Sequence, residues 1–149
     1  MARDTPLAEI ILRKYEKPYQ KDRREVMKKI CLSLGLLQPG DGRDVIVDIL
    51  LVLEDARKQK KQLTSDNIKE EVEGSRKKHH LELKGVAESN IRRQLKRLRD
   101  MMLIEKKENL YNLAEFESLN EIFQNKIEKF LIPQTIDRIK EYLGELERN

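Results

Sequence analysis

The chain has 149 residues, of which 39% are charged, 38% hydrophobic and 5% aromatic: the length of one ordinary domain with a thin supply of core. Its 31 Lys and Arg stand against 27 Asp and Glu, which speaks for a surface laced with opposite charges rather than a disordered tail of one sign. The longest apolar run, Val45 to Leu53, is broken by Asp48 and spans about half the ~20 residues of a membrane helix, and six Gly, four Pro and abundant Leu, Ile, Glu, Lys and Arg favour a mostly α fold over a sandwich or barrel.

Leu7, Ala8, Ile11 and Tyr15 recur at helical spacing as far as Pro18, and Val26, Met27, Ile30, Cys31 and Leu34 repeat the pattern beyond it, so two N-terminal helices are expected. Gln38-Pro39-Gly40-Asp41-Gly42 is the clearest linker, and Asp44 stands where its carboxylate could cap a new helix. That helix, about 44 to 61, is apolar on more than one face and reads as central. Thr64 or Ser65 caps the next, whose Ile68 and Val72 point one way and which Gly74 should stop. After a polar stretch a further helix starts near Gly85 to Ala87. Its Ile91, Leu95, Leu98 and Met102 form one stripe, while Ser89, Arg93, Lys96 and Arg97 lie opposite, with Arg92 and Arg99 at the flank. Residues 103–107 and 110–113 are two β-compatible runs around Glu108-Asn109, a tight hairpin and the only strand pair the pattern supports. Two helices close the chain: Phe116, Leu119, Phe123, Ile127 and Phe130 mark the first, and Ile132, Ile136, Ile139, Leu143 and Leu146 mark the second at heptad spacing, with Pro133 near its start.

Charge is unevenly spread along this order. Residues 1–43, 44–75, 76–113 and 114–149 carry balances of +4, −3, +6 and −3, so the strongest basic excess gathers on the helix that starts near Gly85 to Ala87, the loop before it and the hairpin after it. A basic field on one face attracts phosphate backbones.

Helix, cap, helix, polar loop, basic helix and hairpin follow one another here. The run Gly85 to Asp100, then Met101-Met102-Leu103-Ile104-Glu105-Lys106-Lys107 and Tyr111-Asn112-Leu113, resembles the recognition helix and wing of the winged helix-turn-helix transcriptional regulators of archaea and bacteria. The resemblance covers residues 44–113. It implies an N-terminal helical extension over 1–43, a winged-helix DNA-binding domain over 44–113 and C-terminal helices over 114–149 for dimerisation. This chain departs from the family's pattern in three places: Met102 stands where glycine is common, the loop between the second and third helices of the unit is long, and the wing tip is short and carries Glu108.

An α-helix fits the major groove, so the helix over about 86–101 is the expected reader of double-stranded DNA. Ser89, Asn90 and Arg93 in its first turns are placed for base edges. Arg92, Lys96, Arg97 and Arg99 are placed for phosphates, as are Lys106 and Lys107 in the wing and Arg76, Lys77, Lys78 and Lys84 before the helix. The bland alternative for single cations is an i,i+4 pair: Glu88 with Arg92, Asp100 with Lys96 or Arg97. Apolar stripes in both terminal segments, notably Tyr15, Ile30, Leu34, Phe123, Phe130, Ile139 and Leu146, are expected to join two copies into a homodimer.

No phosphate-binding glycine loop and no nucleophile motif is present, and His79-His80 has no neighbouring ligand pattern, so neither catalysis, a cofactor nor a metal is expected. The lone Cys31, between Ile30 and Leu32, reads as a small buried hydrophobe. The opening Met-Ala-Arg-Asp-Thr-Pro has no apolar export core, which points to the cytoplasm, and high Lys and Glu with one Cys suit a thermophile. A winged helix used as a protein-interaction module, or as an accessory subunit of a transcription or replication assembly, is the alternative reading.

Overall fold

A computed structural model describes residues 4–19 and 22–149. The chain is mostly helical with a small antiparallel sheet, in the order α1 (Arg23–Ser33), α2 (Val45–Lys58), β1 (Leu63–Thr64), α3 (Ser65–Lys78), α4 (Glu88–Asp100), β2 (Ile104–Lys107) and β3 (Leu110–Leu113). A short 3-10 turn, Ala114–Phe116, leads into α5 (Leu119–Ile122), a π-wound stretch (Phe123–Leu131) and α6 (Ile132–Arg148). Among the described residues no helix is long and apolar enough to cross a membrane.

Helix α2 is central because it is apolar on nearly every side: Val45, Ile46, Val47, Ile49, Leu50 and Leu53 are all at most 2% exposed. Around it Met27 and Cys31 of α1, Ile68 and Val72 of α3, Ile91, Leu95 and Leu98 of α4 and Leu113 of β3 complete one core, which also takes in Ile122 and Ile127 from the C-terminal segment. The three expected segments therefore share a single hydrophobic interior.

The first expected helix does not form. Residues 4–19 run without helix, and the arm is held where it lies: the Arg13 amide donates to Ser33 O at 2.8 Å, and its guanidinium donates to Leu32 O at 2.8 Å and to Gln38 Oε1 at 2.6 Å. The Arg13 amide thereby satisfies Ser33 O, one of the carbonyls at the end of α1 that lie beyond the reach of the helix's own amides. Gly35 makes the close approach possible. It sits at φ +70°, and a Cβ there would lie 2.5 Å from the Ile11 Cβ.

Helix ends depart from the expected stops for one shared reason. Helix α3 runs through Gly74 to Lys78, and the left-handed residue that closes it is His80 (φ 55°), with Leu81 N reaching back to Arg76 O at 2.8 Å. Lys60 (φ 51°) closes α2 in the same manner through Lys61 N to Ala56 O, and Met102 (φ 64°) closes α4 through Leu103 N to Leu98 O. Met102 is consequently only partly buried and Met101 takes the inward place. At the start of α3, Thr64 accepts from Asn67 N at 3.1 Å while Asn67 Oδ1 accepts from Thr64 N, a reciprocal capping box.

The hairpin forms with the expected tip, and a third strand joins it. β1 is two residues long, too short for any alternation to reveal, and pairs with β3 through Leu63 with Tyr111 and Thr64 with Leu110. Buried Asn112 ties the strands: Nδ2 donates to Glu105 Oε1 and to Leu113 O, both at 2.8 Å, and Oδ1 accepts from Gln62 Nε2 at 3.2 Å.

The two expected C-terminal helices are one continuous run. Ile122, Leu131 and Ile132 all keep right-handed helical backbone at the junctions. Pro133 has no N–H to return to the preceding turn, and the wider π winding ends just before it; two residues on, Thr135 Oγ1 donates to Leu131 O at 2.8 Å. Phe116 lies outside the helix, in the 3-10 turn at φ 53°.

Candidate nucleic-acid interface

Helix α4 divides into two faces. Ile91, Leu95 and Leu98 are fully buried, so the helix is fixed by its apolar side against the core. On the other side Ser89, Arg92, Arg93, Lys96 and Arg99 are exposed, with Asn90 and Arg97 at the border. Five of the seven residues expected to meet DNA on this helix are thus on one surface and the other two at its edge, and Lys106 and Lys107 of β2 are exposed as well. Lys106 Nζ lies 5.7 Å from the centroid of the Tyr111 ring on the paired strand, a cation–π contact that steadies the hairpin.

The outward groups are ordered by short bonds. Arg92 donates to Glu88 Oε1 at 2.6 Å and Lys96 to Asp100 Oδ2 at 3.1 Å, both i,i+4 pairs. Asn90 is committed to its own loop: Nδ2 donates to Gly85 O at 2.7 Å, while Oδ1 accepts from Gln94 Nε2 at 3.1 Å and from Arg93 at 3.3 Å. Gly85 (φ +80°) has the left-handed backbone that turns the loop into α4, and a Cβ there would stand 3.1 Å from Asn90 Nδ2. Asn90 therefore holds the helix start in place. Arg97 donates to Gln94 Oε1 at 2.8 Å and to Gly35 O at 3.2 Å, which ties α4 to the turn after α1.

In the stretch before α4, Lys77, Lys78 and Lys84 are exposed, Lys84 beside Glu82 at 3.1 Å. Arg76 is not available to a phosphate, contrary to the sequence expectation. Its side chain is 4% exposed and bonds Asp48 Oδ2 at 2.6 Å, Asp44 Oδ1 at 3.1 Å and Glu82 O at 2.6 Å. Arg24 completes the cluster from α1, bonding Asp48 Oδ1 and, at 2.9 Å, Asp44 Oδ2. Asp44 accordingly does not cap α2 with its side chain. Two carboxylates one turn apart, at the start of α2 and in its first turn, instead take two guanidiniums from α1 and α3, so each charge of the cluster faces a counter-charge. Burial alone would raise the Asp44 carboxyl, but the charges and hydrogen bonds of Arg24 and Arg76 outweigh it and hold it below the ordinary range. Asp48, polar inside an apolar run, was the signal in the sequence that a buried cation must meet it.

The seven residues expected at a dimer interface fall into two places. Tyr15, Ile30, Leu34 and Phe123 line one apolar pocket of about 520 Å³ between the N-terminal arm, α1 and the start of the C-terminal run. Lys29 Nζ sits at that pocket 4.6 Å from the Tyr15 ring centroid and 2.7 Å from Glu16. Leu34 is buried there within its own chain. Phe130, Ile139 and Leu146 instead lie exposed along the C-terminal helix.

His79 and His80 are exposed; His79 Nδ1 lies 2.8 Å from Ser75 O, and His80 provides the left-handed residue after α3. No family model, no characterised protein and no solved structure matches this chain.

Proposed function

We propose that the chain binds double-stranded DNA sequence-specifically, as a homodimeric transcriptional regulator whose residues 44–113 act as a winged helix-turn-helix. The observation that carries this reading is the two-sided character of α4. Three fully buried apolar residues lock it down, while Ser89, Arg92, Arg93, Lys96 and Arg99 face outward and a hairpin with Lys106 and Lys107 follows. The order helix, strand, helix, helix, hairpin, with the short first strand paired to the last, supports the same reading.

In this reading α4 enters the major groove. Arg93, held toward Asn90, and Ser89 read base edges, and the Asn90 amide positions them rather than reading a base itself. Arg92, Lys96, Arg99, Lys106 and Lys107 meet phosphates, with Lys77, Lys78 and Lys84 reaching the flank.

The i,i+4 pairs of Arg92 and Lys96 weaken the outward field, and this favours a second reading, a protein-interaction module or accessory subunit with an acidic partner. A salt titration of binding to duplex DNA decides between them. For DNA binding, log K falls linearly with log salt, with a slope of about −0.9 per phosphate neutralised, so about −4.5 from the five central cations of each copy. Indifference to duplex DNA at low salt would sink the proposal.

A further inference from the structure

The face of α6 is bare. None of its 17 residues is buried, yet Ile136, Ile139, Leu143 and Leu146 are 46%, 54%, 53% and 71% exposed. The stripe they form starts at Ile132, which packs against the core, and no residue of the helix beyond it joins the core or packs on it. A helix that leaves its support with its apolar side uncovered is only marginally stable in water.

We infer that this overhanging face is covered by α6 of a second copy of the chain, the two helices lying side by side. The inference rests on the two-copy part of the function proposed above and names its surface. The steps from Ile132 to Leu146 are four, three, four and three, the spacing at which one helix meets another along its length. Thr135, Lys140, Tyr142 and Glu147, which flank the stripe, form no row of one charge that would drive two copies apart. Charges on the far side are already paired within the helix, Arg138 with Glu141 at 2.6 Å and Arg148 with Glu145 at 2.7 Å, and so mark the solvated side. With Tyr142 (72% exposed) at its margin, the face joins five large exposed apolar or aromatic side chains in one patch, the kind of surface that marks an association site.

Sedimentation equilibrium on the full chain tests this, with Leu143→Asp and Leu146→Asp on the stripe and Arg138→Ala on the opposite side. Both aspartate variants change exposed positions, and circular dichroism melting checks that each retains the folded body. The dimer dissociation constant is expected to rise at least about 100-fold in the aspartate variants and to change less than about threefold in Arg138→Ala. A monomeric wild type, or a dimer that survives both aspartates, overturns the inference, and the second result would send the interface to the pocket around Ile30 and Phe123. The DNA titration keeps the two proposals apart. If the aspartates split the dimer but the wild type ignores duplex DNA, the pairing stands and the DNA reading falls. If wild type grips DNA and the aspartates leave the dimer whole, the pairing falls alone.

Discussion

Arginine does opposite work in two regions of this molecule. Between α1, α2 and α3, Arg24 and Arg76 are drawn inside to answer Asp44 and Asp48, and their charge is spent within the fold. On α4, Arg93 and Arg99 stand in solvent over an apolar underside and leave their charge to the surroundings, while Arg92 shares its charge with the exposed Glu88. Counting cations along the chain treats the two groups alike. What separates them is whether a carboxylate sits on the packed side of a neighbouring helix.

The sharpest way to break this contrast is Arg76→Ala. It leaves the Asp48 carboxylate, which has no exposed side-chain surface, with a single guanidinium, and unfolding stability should fall by about 3–5 kcal/mol in urea titration. An unchanged midpoint would mean that the cluster is not a matched set. On α4 the effect should appear in binding alone. Arg93→Ala is expected to cost about 1–3 kcal/mol against the preferred duplex and to relax its sequence preference, whereas Lys96→Ala weakens all duplexes alike and flattens the salt slope by about one unit. Both should melt with the wild type; equal binding effects from the two would refute their division into reader and phosphate contact. Acid gives the mildest probe of the inner cluster. Because the folded state holds the Asp44 carboxyl below its ordinary value of 3.8, its contribution is complete above that value and is lost as pH falls through the lower folded one. Stability followed by denaturant titration should therefore lose this contribution only in strong acid, and Asp44→Asn should remove that part of the acid dependence.

The periodic parts of the fold were legible in the residues. Helices α2 and α4 follow from their apolar spacing, and the hairpin follows from two short runs around Glu108-Asn109. What escaped was decided by contacts between distant residues. The arm over Gly35 has helical spacing in Leu7, Ala8, Ile11 and Tyr15, yet Arg13 finds its acceptors 19 to 25 positions away. The ends of α2, α3 and α4 fall at Lys60, His80 and Met102, where left-handed backbone is used without glycine, while Gly74 sits inside a helix. Arg76 looked like one more member of a basic run because its partners are 28 and 32 residues earlier. The outward residues of α4 were readable since one helix face needs only the 100° turn per residue; the commitment of Asn90 to Gly85 O needed the loop.

Cys31 carries a practical consequence. It lies wholly inside, and burial pushes its thiol up to about 12, so at neutral pH it is silent toward thiol reagents while the body is closed. A single cysteine introduced on the surface would therefore take a label without competition. The slow modification of Cys31 itself would time the moments when α1 lifts away from α2, turning an inert core residue into a clock for the opening of this end of the molecule.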